Sequence, residues 1–213
     1  KNKEEVKRSS GIADLDQSRI HKGEYLHFME KEIFEQPQAV KDTLLYAYGK
    51  ENDDFSYEAF SMSERDFRDI SRVRIIACGS AYHVGYVLKS VCESLARVPV
   101  QVELASEFRY NHPILEDGEL VISISQSGET ADTLAAVKEA KKLGAKTLSI
   151  VNVKGSAIAV ESDFVFYTQA GPEIAVATTK AYSCQLVASY IFSLLLAKAK
   201  RKIKDEEACS LRD

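Results

Sequence analysis

Tryptophan is absent from this chain of 213 residues, and cysteine, histidine and proline occur only four times each. Cys78, Cys92, Cys184 and Cys209 form no CxxC pair, which removes the common zinc and redox motifs. Cys92 and Cys184 fall in helical patterns and Cys78 closes an apolar run, so they read as buried reduced thiols rather than a disulfide framework. His21, His27, His83 and His112 show no metal-ligand spacing. No metal or cofactor is expected. Long hydrophobic runs are missing too. The longest, Tyr190 to Ala197, is too short for a membrane span and leads into Lys198 and Lys200. Charge of one sign is not in excess: 28 basic and 32 acidic residues are well mixed, for a net charge of -4. That balance argues against nucleic acid or an anionic membrane as partner. Lys1 to Ser10 hold no apolar core, which excludes a secretory signal there, and the expected location is the cytosol.

What is present is alternation. Val73 to Ala77, Val100 to Ala105, Leu120 to Ile124, Lys146 to Val153 and Asp163 to Thr168 are apolar, β-branched runs. Between them lie segments of helical spacing. Ala81 to Arg97 carries Val84, Val87, Leu88, Val91, Cys92 and Leu95 on one face; Ala131 to Leu143 and Thr179 to Lys200 are the other long segments. Continuous apolar strands alternating with helices predict a parallel sheet covered on both faces. The fold class is therefore α/β, a doubly wound, flavodoxin-like sheet of five strands. Two helices are expected ahead of it. The first carries Tyr25, Phe28, Met29, Ile33 and Phe34 on one face. Pro37 then starts a second, with Val40, Leu44, Leu45 and Tyr48, ending at Gly49. Residues 1–23 read as a polar tail or linker, 24–72 as the leading helices, 73–200 as the main domain and 201–213 as a tail.

Ser125-Gln126-Ser127-Gly128-Glu129-Thr130 is the most informative stretch. It leaves an apolar strand and opens a helix. The first amides of a helix lack partners within it and carry partial positive charge. Hydroxyls beside them add donors, and Gly128 lets backbone approach a ligand closely. The chemistry is that of a phosphate site. With no Lys and one Glu, the loop suits a phosphate monoester rather than a nucleoside triphosphate. Ligands of doubly wound sheets sit beyond the carboxyl ends of the strands. Gly79-Ser80, Ser106 and the Gln169 to Thr178 segment occupy the other exits.

Cys78-Gly79-Ser80, Ser125 to Thr133, Asn152-Val153-Lys154-Gly155-Ser156 and Glu173 to Lys180 resemble a SIS (sugar isomerase) domain. His27 to Pro37 and Ala105-Ser106-Glu107-Phe108-Arg109-Tyr110 are similar to the glutamine–fructose-6-phosphate aminotransferase (isomerising) family within it. The likeness runs from about Asp14 to Ala199. It implies a larger parent with an N-terminal glutaminase domain and two SIS domains, of which this chain resembles the first with its leading helices. It implies a hexose 6-phosphate ligand, fructose 6-phosphate or glucosamine 6-phosphate, and a homodimer. Carried over by position, Ser125, Gln126, Ser127 and Thr130 would hold the phosphate and adjoining sugar. Ser80 would join them, and Val176 and Thr178 would line the sugar side. The family's base, ring-opening histidine and Schiff-base lysine have no counterpart here, so no catalytic residue is assigned and the chain is expected to bind without turnover. Where the family often has Thr-Ser after Cys-Gly, this chain has Ser80-Ala81, one hydroxyl fewer.

Blander readings stand beside each of these. Ser127 or Thr130 could simply cap the helix. Glu129 satisfies first-turn amides more readily than it acts as a base. Lys180 either attracts the phosphate or pairs with Glu173. His83 reads as a surface or core residue, and Arg109 and Tyr110 as packing or as a subunit contact. Two other functions remain open: a phosphosugar-sensing regulatory module, and a stand-alone sugar-phosphate isomerase relying on His83, His112 or Glu129.

Overall fold

The apolar runs become the strands. The computed structural model describes residues 20–49 and 54–212. Its strands are β1 (Arg72–Ala77), β2 (Val100–Leu104), β3 (Glu119–Ser125), β4 (Lys146–Val151) and β5 (Phe164–Tyr167). All pairings are parallel, in the order β2-β1-β3-β4-β5. The flavodoxin-like expectation holds. Successive strand residues face opposite ways. Val73, Ile75 and Ala77 join one core and Ile76 the other; Ile122 and Val121 divide in the same manner.

Eight α-helices are described: α1 (Phe28–Ala47), α2 (Glu64–Asp69), α3 (Ser80–Leu95), α4 (Ala105–Tyr110), α5 (Ala131–Lys142), α6 (Ala157–Glu161), α7 (Lys180–Ala199) and α8 (Asp205–Arg212). On one face of the sheet α3 and α7 bury Val84, Leu88, Phe192 and Leu195 with Phe60 and Phe67. On the other, Phe108 of α4, Val137 of α5 and Ile158 of α6 cover Ile76, Val121 and Val151. Gly85 lets α3 approach the sheet: a Cβ there would lie 2.9 Å from Val102 and 3.0 Å from Ile75. At the amino end of the sheet Arg74 donates to Glu119 at 2.6 Å, to Glu103, and to the Ile114 carbonyl at 3.0 Å. Burial opposes the Arg74 charge, but the hydrogen bonds and attraction of the two carboxylates hold its pKa above the ordinary arginine value.

Several expectations are corrected. Pro37 does not start a new helix; it lies inside α1, which is continuous for 20 residues. A proline removes one backbone donor, leaving the carbonyl four residues earlier without its partner. Here the Gln36 side-chain amide donates to that carbonyl, Ile33 O, at 3.2 Å. The apolar face read on α1 points outward: Met29, Ile33 and Phe34 are exposed. The inward face is Glu32, Ala39, Thr43 and Ala47, because α1 lies close against α7, where Ala39 packs with Ala181 and Cys184. Residues read as a C-terminal tail form α8. Helix α7 falls where a long helix was expected; it is long and apolar enough to cross a membrane by length and composition, yet most of it is buried as core. Residues 1–19 of the expected tail and residues 50–53 lie outside the described residues.

Candidate functional site

The carboxyl ends of β1, β3, β4 and β5 lie side by side along one rim, since these strands are consecutive neighbours in the sheet. The chain turns back at β1, which has β2 on one flank and β3 on the other. That is the switch point where such sheets bind ligands. Ser80 starts α3 beyond β1 and is exposed. Ser125 ends β3 and is buried.

The Ser125–Thr130 loop is organised by its own hydroxyls. Ser125 Oγ accepts the Gly128 amide at 3.1 Å and lies 3.2 Å from Thr130 Oγ1. Ser127 Oγ accepts the Glu129 amide at 3.2 Å. Thr130 stands at the N-cap of α5 but makes no side-chain cap bond. The bland capping role therefore fails for Thr130, and Ser127 serves the loop rather than the helix. Leu134 is the first α5 amide bonded back, to the Thr130 carbonyl at 2.9 Å. The amides of Ala131 to Thr133 precede the first helical bond and point toward the rim by helix geometry. Gly128 has φ 66°, and a Cβ on it would lie 2.0 Å from Ser156 Oγ. Glycine is required there on both counts.

Neighbouring loops are tied in by side chains. Glu129 accepts the Ala157 amide at 2.8 Å, so it supports α6 rather than its own helix. Asn152, just beyond β4, donates its backbone N–H to Gln126 O at 3.1 Å. Its side chain accepts the Ala170 amide at 3.1 Å and donates to Gly171 O at 2.8 Å. One residue thus joins the Ser125–Thr130 loop to the segment after β5. That segment carries Val176, fully exposed, and Thr178, whose hydroxyl donates to Glu173 at 3.0 Å. Glu173 also accepts the amides of Thr179 and Ala181 at 2.9 and 3.1 Å, capping α7. Lys180 pairs with neither Glu173 nor the rim; it is buried and bonds Glu35 of α1 at 2.7 Å.

The strand exits therefore bring Ser80 and the Ser125–Thr130 loop to one edge, and Asn152 ties to that loop the start of the segment that carries Val176 and Thr178. Sequence reasoning missed Asn152, Glu173 and Glu32 as organisers of that edge. A polar amide directly after an apolar strand was the available signal for Asn152. His83 is exposed on α3, and Arg109 pairs with Asp132 of α5 at 3.5 Å and stacks over Tyr110. Cys78 is half-buried and receives a weak bond from Thr133 at 3.8 Å. Cys92 and Cys184 are buried, and burial pushes the Cys92 thiol up to about 12. No group of three or more metal-capable side chains occurs among the described residues. Two cavities lie elsewhere. One of ≈ 250 Å³ is at the amino ends of the strands beside Asp66, Glu116 and Lys146. An apolar groove of ≈ 490 Å³ runs beside Leu44, Val91 and Ile191.

Known proteins share this arrangement. The chain is 48% identical over 211 residues to the glutamine–fructose-6-phosphate aminotransferase (isomerising) of Clostridium tetani, covering 98% of this chain and 34% of that protein. It is 50% identical over 201 residues to the enzyme of the same name from Mycolicibacterium smegmatis, covering 94% and 32%. It thus spans about a third of the curated relatives it matches. The solved C-terminal domain of glucosamine-fructose-6-phosphate aminotransferase from Francisella tularensis superposes with a TM-score of 0.86 at 42% identity, over 90% of this chain and 54% of that one. The SIS domain model matches residues 66–195, from the capping box of α2 to near the end of α7 and across every strand of the sheet. The chain belongs to the SIS domain family.

Proposed function

We propose that this chain is the first SIS unit of a glutamine–fructose-6-phosphate aminotransferase and holds the phosphate of a hexose 6-phosphate, fructose 6-phosphate or glucosamine 6-phosphate. The observation that carries this reading is the Ser125–Thr130 loop. It sets two neighbouring hydroxyls and a helix start without a side-chain cap at the switch point of a parallel sheet. Hydrogen bonds to a charged group contribute roughly 1.5–3 kcal/mol each. Ser80, Ser125, Gln126, Ser127 and Thr130 surround the phosphate, and Val176 and Thr178 border the sugar.

Isomerisation needs a base placed to move a proton between adjacent sugar carbons. The carboxylates nearest the rim are engaged structurally, Glu129 with Ala157 and Glu173 with the start of α7. In this reading the chain binds and the remainder of a longer parent, with its glutaminase domain and second SIS unit, completes the reaction in the cytoplasm. Exposed Ile33, Phe34 and Tyr110 fit a homodimer contact. Calorimetric titration with glucosamine 6-phosphate and with glucosamine tests the reading. Binding of the phosphorylated sugar alone is expected. Equal affinity for both, no binding of either, or turnover of fructose 6-phosphate by the pure chain would overturn it.

A further inference from the structure

The segment between β5 and α7 has no regular secondary structure from Thr168 to Thr179, yet it must present Val176 and Thr178 at a fixed place. Its start is held by Asn152 and by Thr43 of α1, whose hydroxyl accepts the Gln169 amide at 3.1 Å. Its end is held by Glu173. The middle is held by one side chain from α1. Glu32 Oε1 accepts the amides of Ile174 and Ala175 at 2.6 and 3.1 Å. Glu32 is only 2% exposed, and its Oε2 has no hydrogen-bond partner among the described residues. A buried carboxylate is costly unless donors surround it. Bonds from amides to a carboxylate are among the stronger ones available to a loop. The placement of this charge against two consecutive peptides, immediately before Val176, is the feature that calls for an explanation.

We propose that Glu32 is a positioning residue for the sugar-side loop: its carboxylate fixes the Ile174 and Ala175 peptides, and hexose recognition depends on it while phosphate recognition does not. The proposal rests on the site reading given above and assigns to α1 a role in that site that its outward apolar face conceals. Glu35, one turn along, locks the same helix to the first turn of α7 through Lys180. The Ser125–Thr130 loop, by contrast, is closed by its own hydroxyls and makes no use of α1.

The test uses the full 213-residue chain with Glu32→Ala and Glu32→Gln. Glutamine keeps an oxygen able to accept both amides; alanine does not. Amide hydrogen exchange at Ile174 and Ala175 is measured without ligand, and affinities for inorganic phosphate and glucosamine 6-phosphate are measured by calorimetry. Glu32→Ala is expected to lose protection at both amides and to weaken glucosamine 6-phosphate roughly tenfold, with inorganic phosphate within about twofold, and Glu32→Gln to restore most of both losses. Unchanged exchange in Glu32→Ala refutes the clamp. Equal weakening of both probes also refutes it, because a general loss of structure would act on both. Should Glu32→Ala fail to fold, Glu32→Met fills the same volume without an acceptor and takes its place. Should the unsubstituted chain bind neither probe, the site reading fails and the exchange result alone decides whether Glu32 holds the loop.

Discussion

The hydroxyl of Ser125 lies 3.2 Å from that of Thr130, so the end of β3 and the start of α5 share one hydroxyl pair at the rim of the sheet. A phosphate there would find both hydroxyls already oriented. Thr130→Val keeps the shape and removes the hydroxyl, and Ser127→Ala removes the acceptor of the Glu129 amide. Each is expected to weaken glucosamine 6-phosphate by about 1–3 kcal/mol with the thermal midpoint little changed. Calorimetry alongside a melt separates the two effects. Unaltered affinity in both variants would place the ligand elsewhere.

Gly128 meets two constraints, a positive φ and the nearness of Ser156. Gly128→Ala is expected to destabilise the chain by about 2–4 kcal/mol, from overpacking together with left-handed strain. Adding Ser156→Gly should recover the overpacking part and leave the strain. Urea midpoints of the single and double variants give the split. A double variant no better than the single would show that the contact with Ser156 does not matter.

The Ser63 hydroxyl and amide hold the Asp66 carboxyl at about 2, below its ordinary 3.8, with Lys146 adding to the effect. The shift is downward, so the stability it contributes is present above pH 3.8 and is lost as pH falls through about 2. Because Asp66 is partly exposed, the contribution is about 1 kcal/mol. Asp66→Asn should be less stable at about pH 6, and the gap to the parent should close as pH falls to about 2. Urea unfolding across that range measures it; a gap independent of pH would contradict the assignment.

Arg74 bridges two carboxylates, and Glu119 beside it is buried. Arg74→Met leaves those charges together without their cation and is expected to cost about 3–5 kcal/mol. Arg74→Met with Glu119→Leu and Glu103→Gln should recover much of the loss. Thermal and urea unfolding of both variants checks this, and a single variant as stable as the parent would refute it.

Much of the sheet could be read from its residues, because a strand buried on both faces must be apolar throughout. Ile75, Ile122 and Ile150 announce such strands. Ser125 to Thr130 was legible because local chemistry alone builds the loop. The orientation of α1 was not. Close packing on α7 selects alanine and threonine for its inward face, and a pattern of hydrophobicity does not register a need for small size. Pro37 suggested a break because the compensating amide of Gln36 is visible only in three dimensions. Glu32 gave no local signal of its role, since its partners lie 142 and 143 positions away in the chain.

That separation has a consequence in time. A chain emerging from the ribosome makes α1 before the sheet, and the β1 to β4 region follows while Glu32, Glu35 and Gln36 still lack the partners they meet beyond β5. Their partners, Ile174, Ala175, Lys180 and Ser183, are synthesised about 140 residues later. Contacts so distant form late in folding, and domains acquire structure as units during synthesis. Helix α1 is therefore expected to close onto the sheet late, with the rim fully assembled only once the start of α7 has left the tunnel.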